Sequence, residues 1–235
     1  HGNNDVDLED KEDLADDING NSKIDNHEEQ SNIANMALDI KPNFETDDYK
    51  RDWHARNGMM DKTSLRDDIT LYDYQEEAVS WMYKIWQEGG TGVLLADDMG
   101  LGKTLQTLAF ISDLKCGWGD NNNGPILIVG PTALLRNWEN EYRRFVKPGI
   151  FSDVVALHGA NMHEFRTGEI TPNGKKKLEL KISPNTLALT TYETLRDYQF
   201  SFAKVKWKII IADEAQKIIN PTTRVTVAIK AMNYD

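Results

Sequence analysis

The chain has 235 residues, a net charge of −11, 40% hydrophobic residues and one cysteine, Cys116. That length bounds it to one substantial domain plus a tail. One cysteine excludes an intrachain disulfide and fits a reducing compartment, and no apolar run approaches the ~20 residues of a membrane-spanning helix. An intracellular protein without a membrane partner is expected, in the cytoplasm or nucleoid of a prokaryote, with a nucleus also open. The chain starts with His1, so it is expected to be a piece of a longer protein, and a targeting signal cannot be read from it. The charge is uneven. Residues 1–40 hold twelve acids and two lysines, leaving 26 acids and 25 bases for the rest. The acidity therefore belongs to the tail and does not exclude a folded part that binds polyanions.

Residues 1–46 are acidic and polar and read as a weakly ordered segment. Within them Asp17, Asn19, Asn21, Asp25 and Glu28 occupy the oxygen positions of a calcium loop, and Ile24 its apolar position. Ser22 stands where the sharp-turn glycine belongs, at a cost of about 1 kcal/mol. No second loop accompanies it, so a solvated segment is favoured over a weak Ca²⁺ site at Asp17–Glu28. Residues 47–70 are a mixed lead-in, with Trp53, Met59 and Met60 among Arg51, Arg56, Lys62 and Arg66. From Leu71 a helix is predicted, with Tyr74, Ala78, Trp81 and Ile85 on its apolar face and Val79, Met82 and Trp86 widening it. Gly89-Gly90 ends it.

The run Gly92 to Ala96 is predicted as a strand, and Thr104 to Leu114 as a helix. Between them lies Asp97-Asp98-Met99-Gly100-Leu101-Gly102-Lys103-Thr104. Strand, glycine loop and helix make a phosphate-binding loop. Its glycines let backbone N–H groups turn onto an anion, and the helix N-terminus adds further donors. Lys103 is placed to reach the β- and γ-phosphates of a nucleotide, and the Thr104 hydroxyl to coordinate Mg²⁺. Asp97 departs from the general pattern, which opens on Gly.

Further strands are predicted at Ile126–Val129, Val154–Leu157, Thr186–Thr190 and Ile209–Ala212. Helices are expected at Leu134–Phe145 and Glu193–Tyr198. Residues 160–185 read as a hairpin-like excursion around Pro172-Asn173-Gly174. Lys175-Lys176-Lys177 beside it reads as a solvated turn in preference to a DNA contact, and Trp81, Trp86 and Trp138 read as core. Strands alternating with helices predict an α/β fold: a mostly parallel sheet, covered on both faces, within residues 71–235. Ligands collect at the carboxyl ends of such strands. The phosphate loop and Asp213-Glu214 both fall there. Asp213 suits a Mg²⁺ ligand beside Thr104, and Glu214 suits the polarisation of an attacking water.

Five segments in order resemble the Swi/Snf-type, helicase-like DNA translocases of superfamily two. Asp97 to Thr104 is similar to that family's phosphate loop, including the acid at the first position. Leu71-Tyr72-Asp73-Tyr74-Gln75 resembles its Leu-Arg-x-Tyr-Gln segment. Ile128 to Trp138 resembles its second motif, Thr190 to Leu195 the next, and Ala212 to Pro221 its Asp-Glu-Ala-His box, with Gln216 in place of His. The resemblance implies a RecA-like ATP-binding lobe that works with a second lobe of the same polypeptide on double-stranded DNA, with ATP and Mg²⁺ as cofactors; other protein subunits are open as partners. It implies that Gln75 reads adenine and that Asp98, Met99, Gly100, Leu101, Gly102, Lys103, Thr104 and Leu105 hold nucleotide. Lys103, Asp213, Glu214 and Gln216 would serve catalysis, and Thr132, Arg136, Thr191 and Tyr192 would lie along a DNA strand, in contacts that are largely sequence-independent. Tyr72 replaces the usual Arg, and Gln216 can hydrogen-bond but carries no charge. The resemblance further implies a second lobe bearing an arginine finger, so residues 1–235 alone are expected to turn over ATP very slowly. A non-catalytic nucleotide-gated module and a strand-separating helicase are the alternatives.

Overall fold

The run at 126–129 is apolar on every residue because it is covered on both sides. In the computed structural model, which describes residues 64–118, 123–170 and 176–234, it is strand β1 (Ile126–Gly130), and Ile126, Leu127, Ile128 and Val129 are fully buried. Three further strands join it: β2 (Asp153–Ala156), β5 (Thr186–Thr191) and β6 (Ile209–Ala212), in the order β2-β5-β1-β6. All three pairings are parallel, as the strand–helix alternation requires. Within the expected excursion at 160–185, β3 (Arg166–Ile170) and β4 (Lys176–Leu180) form an antiparallel pair. Its turn at 172–174 lies outside the described residues, as do the acidic segment 1–46 with its calcium-loop candidate and the lead-in up to residue 63.

Two helical layers cover the sheet. One holds α1 (Asp73–Gln87), α2 (Lys103–Gly117) and α3 (Thr132–Phe145). Val79, Leu108, Ile111, Leu135 and Trp138 pack there on Ile126 and Ile128. After the short α4 (Met162–Phe165), the opposite layer holds α5 (Tyr192–Asp197), α6 (Gln199–Ala203) and α7 (Arg224–Lys230). Tyr192, Leu195, Phe202 and Trp207 pack there on Leu127 and Val129. Alternate residues of β1 thus feed the two cores. The end of the lead-in is tied down where it is described. Leu65 bridges Val146, Arg66 N–H donates to the Phe145 carbonyl at 2.8 Å, and Ser64 hydrogen-bonds Asp113.

Two expectations differ from the structure. The apolar face of α1 is rotated by about one residue. Gln75, Val79, Met82 and Tyr83 are buried, while Tyr74 and Trp81 are 43% and 42% exposed. The helix packs through the narrower 75/79/82/83/86 stripe, and its aromatic edge faces outward. The predicted strand Gly92–Ala96 is also absent. The segment has no ladder, and Val93 and Leu94 are 42% and 71% exposed. Among the described residues β6 pairs on one side only, with β1, and residues 92–96 do not pair with its open edge. An apolar segment without a partner ladder leaves its N–H and C=O groups to water. One parallel contact touches the entrance of that open edge: Trp207 bridges Tyr234, and the Trp207 N–H donates to the Asn233 carbonyl at 2.9 Å.

Candidate nucleotide site

The glycine loop ends on the first turn of α2, with Gly100 at φ 89° and Gly102 at φ 77°. Both lie in the left-handed region that disfavours a side chain. At Gly100 the space where a Cβ would stand is open for 4 Å, so the backbone is free to face a ligand. At Gly102 a Cβ would meet the Gln75 amide nitrogen at 2.5 Å. Gly102→Ala is therefore expected to lower the melting temperature by about 3–6 °C, from the ~1–2 kcal/mol of left-handed strain, with the Gln75 clash adding to it. A thermal melt followed by circular dichroism reads this directly.

Lys103 lies within the loop's own curve. Its ammonium donates to the carbonyls of Asp97 at 2.7 Å and Asp98 at 2.9 Å. The positive charge is thus held at the point where phosphate oxygens would arrive. Met99 is 94% exposed and Leu101 37%. Leu105 is half-buried on the first turn of α2. Gln75 is tied to the loop. It is 4% exposed, its amide N–H₂ donates to the Leu101 carbonyl at 3.2 Å, and its oxygen accepts from the Tyr72 N–H at 3.0 Å. Gln106 donates to the same Leu101 carbonyl at 3.2 Å. In this conformation Gln75 clamps the loop.

At the carboxyl end of β6, Asp213 continues the ladder, its N–H donating to the Val129 carbonyl at 2.8 Å. Its carboxylate is held twice. Oδ1 accepts from the Glu214 N–H at 2.9 Å, and Oδ2 accepts from the Trp138 indole N–H at 2.8 Å. Its carbonyl accepts from the Tyr192 hydroxyl at 2.7 Å. Glu214 is the only non-glycine at positive φ among the described residues, at 56°, and its carboxylate accepts a hydrogen bond from the Gln216 amide. Gln216 thus steadies the acid two residues before it.

Helix α3 packs on α2, and its Trp138 reaches Asp213. Glu141 on this helix lies within electrostatic reach of Arg144, Thr104 and Asp213. Burial pushes its carboxyl up, Arg144 and Thr104 pull it down, and Asp213 pushes it up again. Thr104 and Asp213 thus both lie within electrostatic reach of one side chain of α3. Among the described residues no group of three or more His, Cys, Asp or Glu could cage a metal. The donor set is instead the open hydroxyl–carboxylate kind that suits Mg²⁺ shared with phosphates.

Two of the expected DNA-facing residues are placed otherwise. Thr132 and Arg136 are exposed on the first turns of α3. Thr191 is 4% exposed and caps α5, accepting from the Thr194 N–H at 3.0 Å. Tyr192 is 1% exposed. Burial, with the negative charges of Asp213 and Glu214 beside it, raises the phenol's pKa and keeps it protonated. Its aromatic ring completes the core and its hydroxyl serves Asp213, so no side-chain contact from Tyr192 to a DNA strand is available here.

Residues 74–235 match the SNF2-related domain family. The chain belongs to that family. Among relatives, this SNF2-related chain is 36% identical over 236 residues to the Zorya protein ZorD of Escherichia coli O139:H28, which covers 88% of this chain and 21% of that protein. It is 33% identical over 172 residues to the ATP-dependent DNA helicase DDM1 of Arabidopsis thaliana, over 70% of this chain and 20% of that one. It is similar in structure to the Sulfolobus solfataricus SWI2/SNF2 ATPase core in complex with double-stranded DNA, with a TM-score of 0.58 and 32% identity over 74% of this chain and 32% of that chain. The fold is thus that of a SWI2/SNF2 ATPase core, RecA-like. The chain spans about a fifth of the length of these two relatives. No helix among the described residues is long and apolar enough to cross a membrane.

Within the SNF2-related site, sequence reasoning missed Trp138 and Glu141 as neighbours of the acids. Both sit three residues apart on α3, with Trp138 5% exposed and Glu141 half-buried. A tryptophan on an apolar stripe reads as core, and it is core. Only its indole N–H, a donor that burial obliges to find a partner, signals a second role.

Proposed function

We propose that this chain is the ATP-binding first lobe of an ATP-dependent double-stranded-DNA translocase. One observation carries the reading. Lys103 is curled into a glycine loop whose two glycines hold left-handed backbone, and the carboxyl end of β6 carries Asp213-Glu214. That pairing is what nucleotide hydrolysis needs and what a passive DNA-binding surface does not.

Lys103 exchanges the carbonyls of Asp97 and Asp98 for β- and γ-phosphate oxygens. The amides at the start of α2 bind the same anion. Thr104 and Asp213 are the residues that would hold Mg²⁺, which when bound neutralises charge developing on the phosphates. Glu214, braced by Gln216, orients the attacking water and takes its proton. Asp98, Met99, Leu101 and Leu105 line the nucleotide, and Gln75 shapes the loop that faces it, with its adenine contact part of the same proposal. Thr132 and Arg136 meet the phosphates of a DNA duplex. The double-stranded DNA held by the similar Sulfolobus ATPase core supports that partner, and the larger size of the relatives supports a second lobe in the same polypeptide.

The test is ATP hydrolysis by the full-length protein with and without duplex DNA. Turnover rising with added duplex is the expected result. Residues 1–235 alone are expected to bind nucleotide and hydrolyse it slowly, because an arginine finger on a second lobe is worth roughly 10³–10⁵ in rate. Fast, DNA-stimulated hydrolysis by residues 1–235 would overturn the two-lobe part of the reading.

A further inference from the structure

Helix α3 reaches one of the side chains that the reading above gives to Mg²⁺. Trp138 meets the Asp213 carboxylate through a 2.8 Å hydrogen bond. A rigid helix thus braces a group that comes from the end of β6. Around Asp213 the packing leaves no slack. A Cβ added at Gly130 would stand 3.3 Å from the Asp213 Cβ, and Tyr192 and Val129 hold the backbone on either side.

The hydrogen-bond chemistry is directional. An indole N–H only donates. Bound to Oδ2, it occupies one lone pair, while the Glu214 N–H occupies one on Oδ1. The carboxylate plane is fixed from both oxygens, and a lone pair on each stays open to a cation. Groups of this kind behind a metal's direct ligands fix their orientation, and their loss costs about 10–100-fold in metal affinity.

We propose that Trp138 is a positioning residue of the Mg²⁺ site, orienting the carboxylate of Asp213. The proposal rests on the nucleotide-binding reading above. Trp138 acts through the side chain it holds.

The measurement is the binding of a fluorescent, non-hydrolysable ATP analogue to the full-length protein as Mg²⁺ is titrated, with a parallel series in EDTA. Trp138→Phe keeps an aromatic ring and removes the donor. Trp138→Met fills the space with a flexible apolar side chain and also removes it. In both variants the Mg²⁺ concentration at half-effect is expected to rise about tenfold or more, while the affinity in EDTA stays within about twofold. An unchanged Mg²⁺ midpoint in either folded variant overturns the proposal, whatever happens to the melting temperature, because a packing role alone does not move that midpoint. Should Trp138→Phe fail to fold, Trp138→Met decides. Wild-type protein that ignores the analogue, or binds it equally in Mg²⁺ and EDTA, overturns the nucleotide-site reading itself and this proposal with it.

Discussion

Glu214→Gln in the full-length protein is expected to lower DNA-stimulated ATP turnover by about 10²–10⁴-fold, the usual contribution of a positioned general base, and to leave nucleotide affinity within about twofold. The substitution keeps size and removes the ability to take a proton. The structure gives a reason to single this residue out. Glu214 is held at φ 56°, a conformation that costs a residue with a Cβ about 1–2 kcal/mol. Strain of that kind persists where the surroundings over-determine it, and it clusters at working sites. Here the surroundings are the Asp213 carboxylate on its N–H and the Gln216 amide on its side chain. A steady-state ATPase assay beside a nucleotide-binding titration separates the outcomes. A motor loses turnover and keeps binding. A nucleotide-gated module without catalysis shows no change in either.

Lys103→Ala is expected to act on the opposite quantity. Its ammonium is the one loop group that can reach phosphate oxygens with a full charge, and charged hydrogen bonds contribute about 1.5–3 kcal/mol. ATP affinity should fall by roughly 10- to 100-fold. The melting temperature should move little, because the bonds Lys103 makes here go to carbonyls of the partly exposed loop. Affinity unchanged by this substitution would count against the loop as the phosphate cradle.

The nucleotide loop and the acid pair were legible in the sequence because each is local. Gly100, Gly102, Lys103 and Thr104 are set by turn geometry and the start of one helix, and Asp213-Glu214 by the end of one strand. The sheet centre was legible for a related reason: a run such as Ile126–Val129 is apolar on both faces only if both are covered. Other features depended on partners that sequence patterns do not name. Gly92–Ala96 has strand composition, yet a strand exists only when paired with another backbone, and among the described residues this segment pairs with none. The face of α1 was misjudged because Tyr74 and Trp81 are apolar enough to be core and polar enough to stand in water. Tyr192 was placed on a DNA path by its neighbours in sequence. Its position is decided by Asp213, 21 residues away. Trp138 and Asp213 lie 75 residues apart, and no spacing rule joins them.

Whether ATP binding at this site drives movement along duplex DNA is decided by triplex displacement. A labelled third strand is annealed to a DNA duplex, and its release by the full-length protein is followed with and without ATP. Release is expected to require ATP and Mg²⁺, to be lost in Glu214→Gln, and to leave the duplex strands paired. Release independent of ATP, or separation of the duplex strands themselves, would rule out a translocase of this kind.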